Sequence, residues 1–295
     1  MSTEHSDHVA SAAPRPASDD YVLGRSPREL DRLDRQGALY RPFTRELLLA
    51  AGIGLGDRVL DLGSGSGDVS FLAHELVAPL GADEPGEVVG VELDAATAEA
   101  ARARAERRGF DRVRFRVAPL DAHLDEPPFD AIVGRFILMH QRDPAAALRR
   151  ALIHARPGAA VAFLESSMTS LIDGVHSRPF SGLYERIVRW KGAVVAGCGG
   201  DLGAGLRLRE IMLAAGLPSP SLRFHAHLEG GSDSSWYAFI EESVRSMLPQ
   251  AERLGIEGFT EMEVDGLADA LRAETVAANG VLVGWPVVAA WSRVP

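Results

Sequence analysis

Val59-Leu60-Asp61-Leu62-Gly63-Ser64-Gly65-Ser66-Gly67 runs a short apolar segment directly into three glycines at alternate positions. Glycine lets the backbone turn sharply and lets a ligand approach closely, because no side chain stands in the way. The stretch therefore predicts a buried strand from Arg58 to Leu62 whose carboxyl end opens on a binding site. Its spacing is G-x-G-x-G, whereas the dinucleotide fingerprint G-x-G-x-x-G requires a glycine where Asp68 stands. A nucleotide pyrophosphate is the weaker fit.

Strand and helix signals alternate outward from this loop. A helix is predicted over Val69 to Leu80, a strand over Glu87 to Val91, an alanine-rich helix over Ala95 to Arg107, and strands near Val113 to Val117, Ala131 to Phe136 and Ala159 to Leu164, with a helix at Pro144 to Ala155. Repeated strand-helix-strand units imply an α/β fold, a mostly parallel sheet covered by helices on both faces. Before the loop, residues 1–20 carry no hydrophobic periodicity and are expected to be a disordered tail. Ser26-Pro27-Arg28-Glu29 has the residues of a capping box, followed by Leu30 and Leu33 on one face. A separate helix is predicted from Thr44 to Ala51, so residues 21–55 form an amino-terminal helical lid. After the fifth strand, helical insertions at about 167–205 and 232–279 interrupt the rhythm. Between them lie a helix at Leu206 to Ala215 and a strand at Leu222 to Leu228, and a last strand runs from Val281 to Trp291.

The chain has 295 residues, a net charge of −10 and ordinary globular proportions of 46% hydrophobic and 24% charged residues. Its length allows one large domain or two small ones, and a chain this long can bury about 75% of its unfolded surface. The acidic balance lacks the basic face that counterion release from nucleic acid exploits, so nucleic acid is excluded as the expected partner. No apolar run approaches the roughly 20 residues of a membrane span. The single cysteine, Cys198, excludes an internal disulfide, and no signal-like apolar run follows Met1; the reading is a cytoplasmic protein. The scattered histidines show no metal spacing, and no metal is expected.

Two acidic positions complete the loop. Glu92 ends the second strand about 25 residues beyond Gly67, where a carboxylate can accept from both hydroxyls of a ribose. Asp121 follows the third strand, where it can accept from the exocyclic amine of a base. Glycine loop, ribose acid and amine acceptor together describe an adenosine site. Each also has a plain structural reading, as a turn or a helix cap.

On these residues the sequence resembles the class I S-adenosylmethionine-dependent methyltransferases over about residues 21–165, with Val59–Gly67 similar to the first motif, Glu92 to the ribose acid, Asp121 to the adenine contact and Arg156-Pro157-Gly158 to the turn before the fifth strand. The leader Tyr21-Val22-Leu23-Gly24, with Glu29, Arg32, Leu33 and Gln36, is similar to the lid of small-molecule enzymes related to quinone-pathway methyltransferases. The resemblance implies a Rossmann-like, mostly parallel seven-stranded sheet with helical lid insertions, a cofactor domain over residues 56–295 and S-adenosylmethionine as cofactor. It also implies a cofactor set of Tyr21, Gln36, Asp61, Gly63, Ser64, Gly65, Gly67, Glu92, Leu93, Asp121, Ala122 and Arg135.

Methyl transfer from a sulfonium is an in-line displacement that needs the acceptor held close and, for a hydroxyl, a base. His140, beyond the fourth strand, is the candidate, since its ordinary pKa near 6.5 suits proton removal at neutral pH. Its alternative is a packing role. The strand-four exit, Gly134 to Asp143, lacks the Asn/Asp-Pro-Pro-aromatic motif of adenine- and glutamine-modifying relatives. Tyr184, Trp190 and Trp236 in the insertions are the candidate acceptor-binding residues, with lid core as their alternative. The leading expectation is O-methylation of a small molecule in secondary metabolism or antibiotic biosynthesis. N- or C-methylation, a non-methylating cyclisation or rearrangement, a ligand-binding regulator, a nicotinamide oxidoreductase and a homodimeric assembly stay open.

Overall fold

The computed structural model describes residues 27–295, and side chains from Arg35 onward. The tail, Tyr21, Ser26 and the side chains of Glu29, Leu30 and Leu33 lie outside the described residues. In chain order the elements are α1 (Pro27–Ala50), β1 (Arg58–Leu62), α2 (Asp68–Val77), β2 (Glu87–Glu92), α3 (Ala95–Arg108), β3 (Val113–Val117), β4 (Phe129–Arg135), α4 (Pro144–Ala151) and β5 (Ala155–Ser166). There follow α5 (Met168–Ile172), β6 (Ser177–Arg178), α6 (Gly182–Gly197), α7 (Ala204–Ala214), β7 (Ser221–His225), β8 (Leu228–Glu229), α8 (Trp236–Leu254), α9 (Glu261–Val264), α10 (Leu267–Ala277), β9 (Val281–Val283) and β10 (Val287–Arg293).

Seven strands form one sheet in the order β3-β2-β1-β4-β5-β10-β7. The first five run parallel, and β10 is antiparallel to both β5 and β7. This is the mostly parallel seven-stranded sheet that the resemblance implies. Val59, Leu60, Val88, Val89, Ile132, Val161 and Phe163 are fully buried, because helices cover both faces. Local chemistry sets the helix ends: the Asp94 carboxylate accepts from Thr97 N–H at the start of α3, the Asp143 carboxylate caps α4 ahead of Pro144, and Gly109 and Gly255 close α3 and α8 in the left-handed region. The chain reverses its direction of travel across the sheet between β1's neighbours β2 and β4, so the carboxyl ends of β1 and β4 frame the crevice of a doubly wound sheet.

The periphery departs from the pattern in three places. α1 is one helix of 24 residues that carries Pro42 internally, where the sequence predicts a separate helix from Thr44. Buried Tyr40, Leu47 and Leu48 hold both halves on the core, and the Thr44 hydroxyl donates back to the Tyr40 carbonyl at 2.8 Å, so one missing N–H does not break it. The last apolar run divides at Gly284-Trp285-Pro286. Its first part, β9, joins β6 and β8 in a small second sheet within the insertions, while β10 enters the main sheet. The run Leu222 to Leu228 likewise divides between β7 and β8, one strand for each sheet.

Gly134 of β4 has no room for a methyl group, since a Cβ there would lie 2.7 Å from the buried Phe163 ring of β5. That ring fills the space beneath the crevice. Phe163→Ala is expected to destabilise the protein by about 3–5 kcal/mol, checked by urea unfolding, through lost burial plus the cavity left behind.

Candidate functional site

Gly63, Gly65 and Gly67 all have positive φ, at 65°, 53° and 95°. The loop closes back on the sheet through Ser64 N–H donating to the Val91 carbonyl and Gly67 N–H to the Ser64 carbonyl, both at 2.9 Å. A Cβ on Gly63 would lie 2.4 Å from the Ile137 side chain, whereas one on Gly65 would meet nothing within 4 Å. The apex of the loop is thus open, while its flank is pressed against the strand-four exit. α2 begins at Asp68 immediately beyond, so the loop leads into a helix amino terminus.

The ribose-acid candidate touches this loop directly. Glu92 accepts from Gly65 N–H at 2.9 Å through one oxygen and from Asp94 N–H at 3.0 Å through the other. Beneath the loop, buried Asp61 accepts from the Ser70 hydroxyl at 2.6 Å through Oδ2. Asp61 Oδ1 and Ser64 Oγ are buried polar atoms with no hydrogen-bond partner. Burial pushes the Asp61 carboxyl up to about 7, opposed by the Ser70 hydrogen bond and the Arg135 charge, while the Glu92 charge adds to the rise. Unsatisfied buried acceptors beside an open glycine apex are what a ligand with a cationic or N–H donor group would complete.

Arg135, at the end of β4, donates to Thr44 Oγ1 of α1 at 3.2 Å and lies 3.9 Å from Asp68. Asp68 also pairs with Arg104 of α3 at 3.0 Å, and a Cβ on Gly37 would lie 2.5 Å from the Asp68 carboxylate. The helix α1 is therefore seated against the glycine loop through one half-buried acid, Asp68, and one half-buried arginine, Arg135. Gln36 is half-buried on the same helix, next to Gly37.

On the other flank, Leu93 and Asp121 are exposed and Ala122 is half-buried. Asp121 pairs with Arg150 of α4 at 3.3 Å, and the Ala122 carbonyl is 3.2 Å from His154 Nε2. His140 ends a one-turn 3-10 helix, Leu138–His140. Its side chain is exposed, and desolvation by the neighbouring protein lowers its pKa from the ordinary 6.5.

The three acceptor-binding candidates are buried. The Tyr184 hydroxyl donates to the Val283 carbonyl at 2.7 Å and accepts from Trp236 Nε1 at 3.2 Å. Trp190 sits apart, edge-on to Phe259. Trp236 continues through His227 to Tyr40, whose ring lies 5.1 Å from Phe136 at the strand-four exit. Sequence reasoning passed over Tyr40, Asp68 and His154. Asp68 was visible as the acid occupying the third position of a glycine fingerprint; the other two had no local signal.

Residues 54–192 match a family model described as "Methyltransferase domain". A ribosomal protein L11 methyltransferase from Thermus thermophilus is 36% identical over 98 residues, 33% of this chain and 35% of that protein. The chain spans between about a fifth and a third of the length of the curated relatives it matches. Among solved structures, the YcgJ protein of Bacillus subtilis shares the fold with a TM-score of 0.56 at 14% identity, covering 85% of this chain and 98% of that one. A geranyl diphosphate methyltransferase in complex with S-adenosylmethionine gives a TM-score of 0.51 at 18% identity, covering 95% and 93%.

Asp61 yields a test of the site's electrostatics. Its native pKa lies above the unfolded value, so the folded state keeps a proton that the unfolded chain has lost, and stability falls by about 1.4 kcal/mol per pH unit between about pH 4 and 7. Asp61→Asn keeps an acceptor for Ser70 and removes the charge. Calorimetric melting of the ligand-free protein is expected to show the variant several degrees more stable at pH 8 and close to wild type at pH 4.

Proposed function

The chain carries a class I S-adenosylmethionine-dependent methyltransferase domain, and from that premise we propose that it methylates a small molecule, with an oxygen acceptor. The observation that carries the reading is the open glycine apex bonded to Glu92 above two unsatisfied buried acceptors. When bound, S-adenosylmethionine supplies an electrophilic methyl group on a positively charged sulfur and leaves as S-adenosylhomocysteine.

In this reading Glu92 exchanges its bond to Gly65 for the ribose hydroxyls. Asp61 and Ser64 receive the amino end of the methionine moiety, and an acid with a pKa near 7 gains its charge where a cation is offered. Gly63, Gly65 and Gly67 leave the backbone bare for close approach, with Leu93 alongside. Asp121 and Ala122 hold the adenine edge, with Arg150 and His154 setting that loop. Arg135 and Gln36 line the methionine end under α1, and Tyr21 is the further cofactor contact that the resemblance implies.

His140 takes the acceptor's proton as the carbon–oxygen bond forms. Its lowered pKa keeps the ring neutral at pH 7, with a lone pair to accept. Tyr184, Trp190 and Trp236 shape the acceptor chamber as the packed frame of the insertions.

The ribosomal protein named for the Thermus relative suggests a macromolecular acceptor. The match to it covers a third of the chain, and the net charge of −10 opposes an RNA-rich target. The small-molecule reading is therefore preferred, with secondary metabolism as its setting.

Incubation with methyl-labelled S-adenosylmethionine and small-molecule extract is expected to label an organic-soluble product. Label in ribosomal protein or RNA, or none despite cofactor binding, would contradict it. With the labelled acceptor in hand, Glu92→Ala should weaken S-adenosylhomocysteine binding by about tenfold or more, and His140→Ala should cut turnover by about 100-fold with cofactor affinity kept.

A further inference from the structure

β5 carries an apolar run, Ala159 to Leu164, in which every residue is buried, and the next residue, Glu165, is wholly inaccessible to solvent. A carboxylate in such a place must be satisfied by donors. Its donors are three successive backbone N–H groups of the strand-four exit: Ile137 at 2.9 Å and Leu138 at 2.7 Å to Oε1, and Met139 at 3.3 Å to Oε2. Those groups follow Phe136, which has a φ of 55°, a left-handed backbone that costs a non-glycine residue of order 1 kcal/mol or more. They are also the first N–H groups of the turn that ends in His140.

At α3 and α4 the cap is a local acid, Asp94 and Asp143. Here the cap comes from the neighbouring strand, 28 residues from Ile137, so it fixes the turn against the sheet rather than against itself. The far side of the turn is held by Asp201 N–H donating to the Met139 carbonyl at 2.8 Å. The side chain of Ile137 is the group pressed on Gly63. One turn thus carries His140 at one end and bears on the glycine loop at the other.

We propose that Glu165 is a positioning residue for this site: its carboxylate clamps the strand-four exit and so fixes His140 relative to the glycine loop. The consequence for turnover rests on the methyl-transfer reading, whereas the clamp does not. Ionised, the carboxylate accepts all three bonds. Protonated, it turns one oxygen into a donor facing N–H groups, and at least one of the bonds is lost. Burial pushes this carboxyl up to about 7, against the three backbone donors, and the charge of Asp201 adds to the rise. Asp201, ahead of α7, is itself paired with Arg207 at 2.7 Å.

Hydrogen exchange read by mass spectrometry on a peptic fragment spanning residues 136–141, corrected for intrinsic rates, tests this without any acceptor. In Glu165→Gln protection of that fragment at pH 8 is expected to be about tenfold lower than in the wild-type chain, with a fragment over β1 unchanged. Equal protection in the variant, or protection lost across the whole sheet, would each overturn the proposal. Glu165→Asp, which keeps a carboxylate on a shorter arm, decides if the first variant does not fold: lower protection confined to residues 136–141 is expected, and wild-type protection there would overturn the proposal. Failure of the methyl-transfer reading would appear as missing product with the clamp intact.

Discussion

One hydrogen bond, from Gly65 N–H to the Glu92 carboxylate at 2.9 Å, joins the carboxyl ends of two adjacent parallel strands, β1 and β2. It rests on the φ of 53° at Gly65, a left-handed backbone that favours glycine, and on the pairing of Leu62 with Val91, which brings the two strand ends level. The rest of the site follows from this register. Ser64 folds back on Val91, Asp61 lies under the loop, and Gly134 of β4 pairs with Leu62 on the other side, which delivers Arg135 and the strand-four exit to the same rim.

The electrostatics of that rim are acidic within and compensated from outside. Asp61, Glu92 and Asp68 converge from β1, β2 and α2, while Arg135 and Arg104 approach from β4 and α3. Asp61 and Glu165, both buried, are both raised to about 7, each by desolvation against local hydrogen bonds. Carboxyls so poised respond to a ligand's charge at physiological pH, and they weaken the empty protein in proportion. The two sit on opposite sides of the strand-four exit, one beneath the cofactor loop and one behind the histidine.

What was legible in the sequence is what is contiguous. Buried parallel strands are unbroken apolar runs, and the glycine loop with its following acid lies within about 35 residues, so sheet and cofactor candidates could be read directly. The lid was harder. Gly284-Trp285-Pro286 continues an apolar run, and nothing local announces that its two halves enter different sheets. Pro42 reads as a break, but Tyr40, Leu47 and Leu48 pack on a common core and carry the helix through it. Long-range pairs were invisible for the same reason: Arg135 with Thr44 spans 91 residues, and Glu165 with Ile137 spans 28. Glu165 left one trace, a single acid at the end of an apolar strand.

The account turns on whether this glycine loop and Glu92 hold an adenosyl cofactor of the sulfonium type rather than a dinucleotide. Melting the purified chain with S-adenosylhomocysteine or with NADH, at matched concentrations, asks that directly. A ligand at about 100 times its Kd adds about 2.7 kcal/mol of stability, enough to raise Tm by several degrees. S-adenosylhomocysteine is expected to produce that shift and NADH none; a shift with NADH alone, or with neither, would contradict the account.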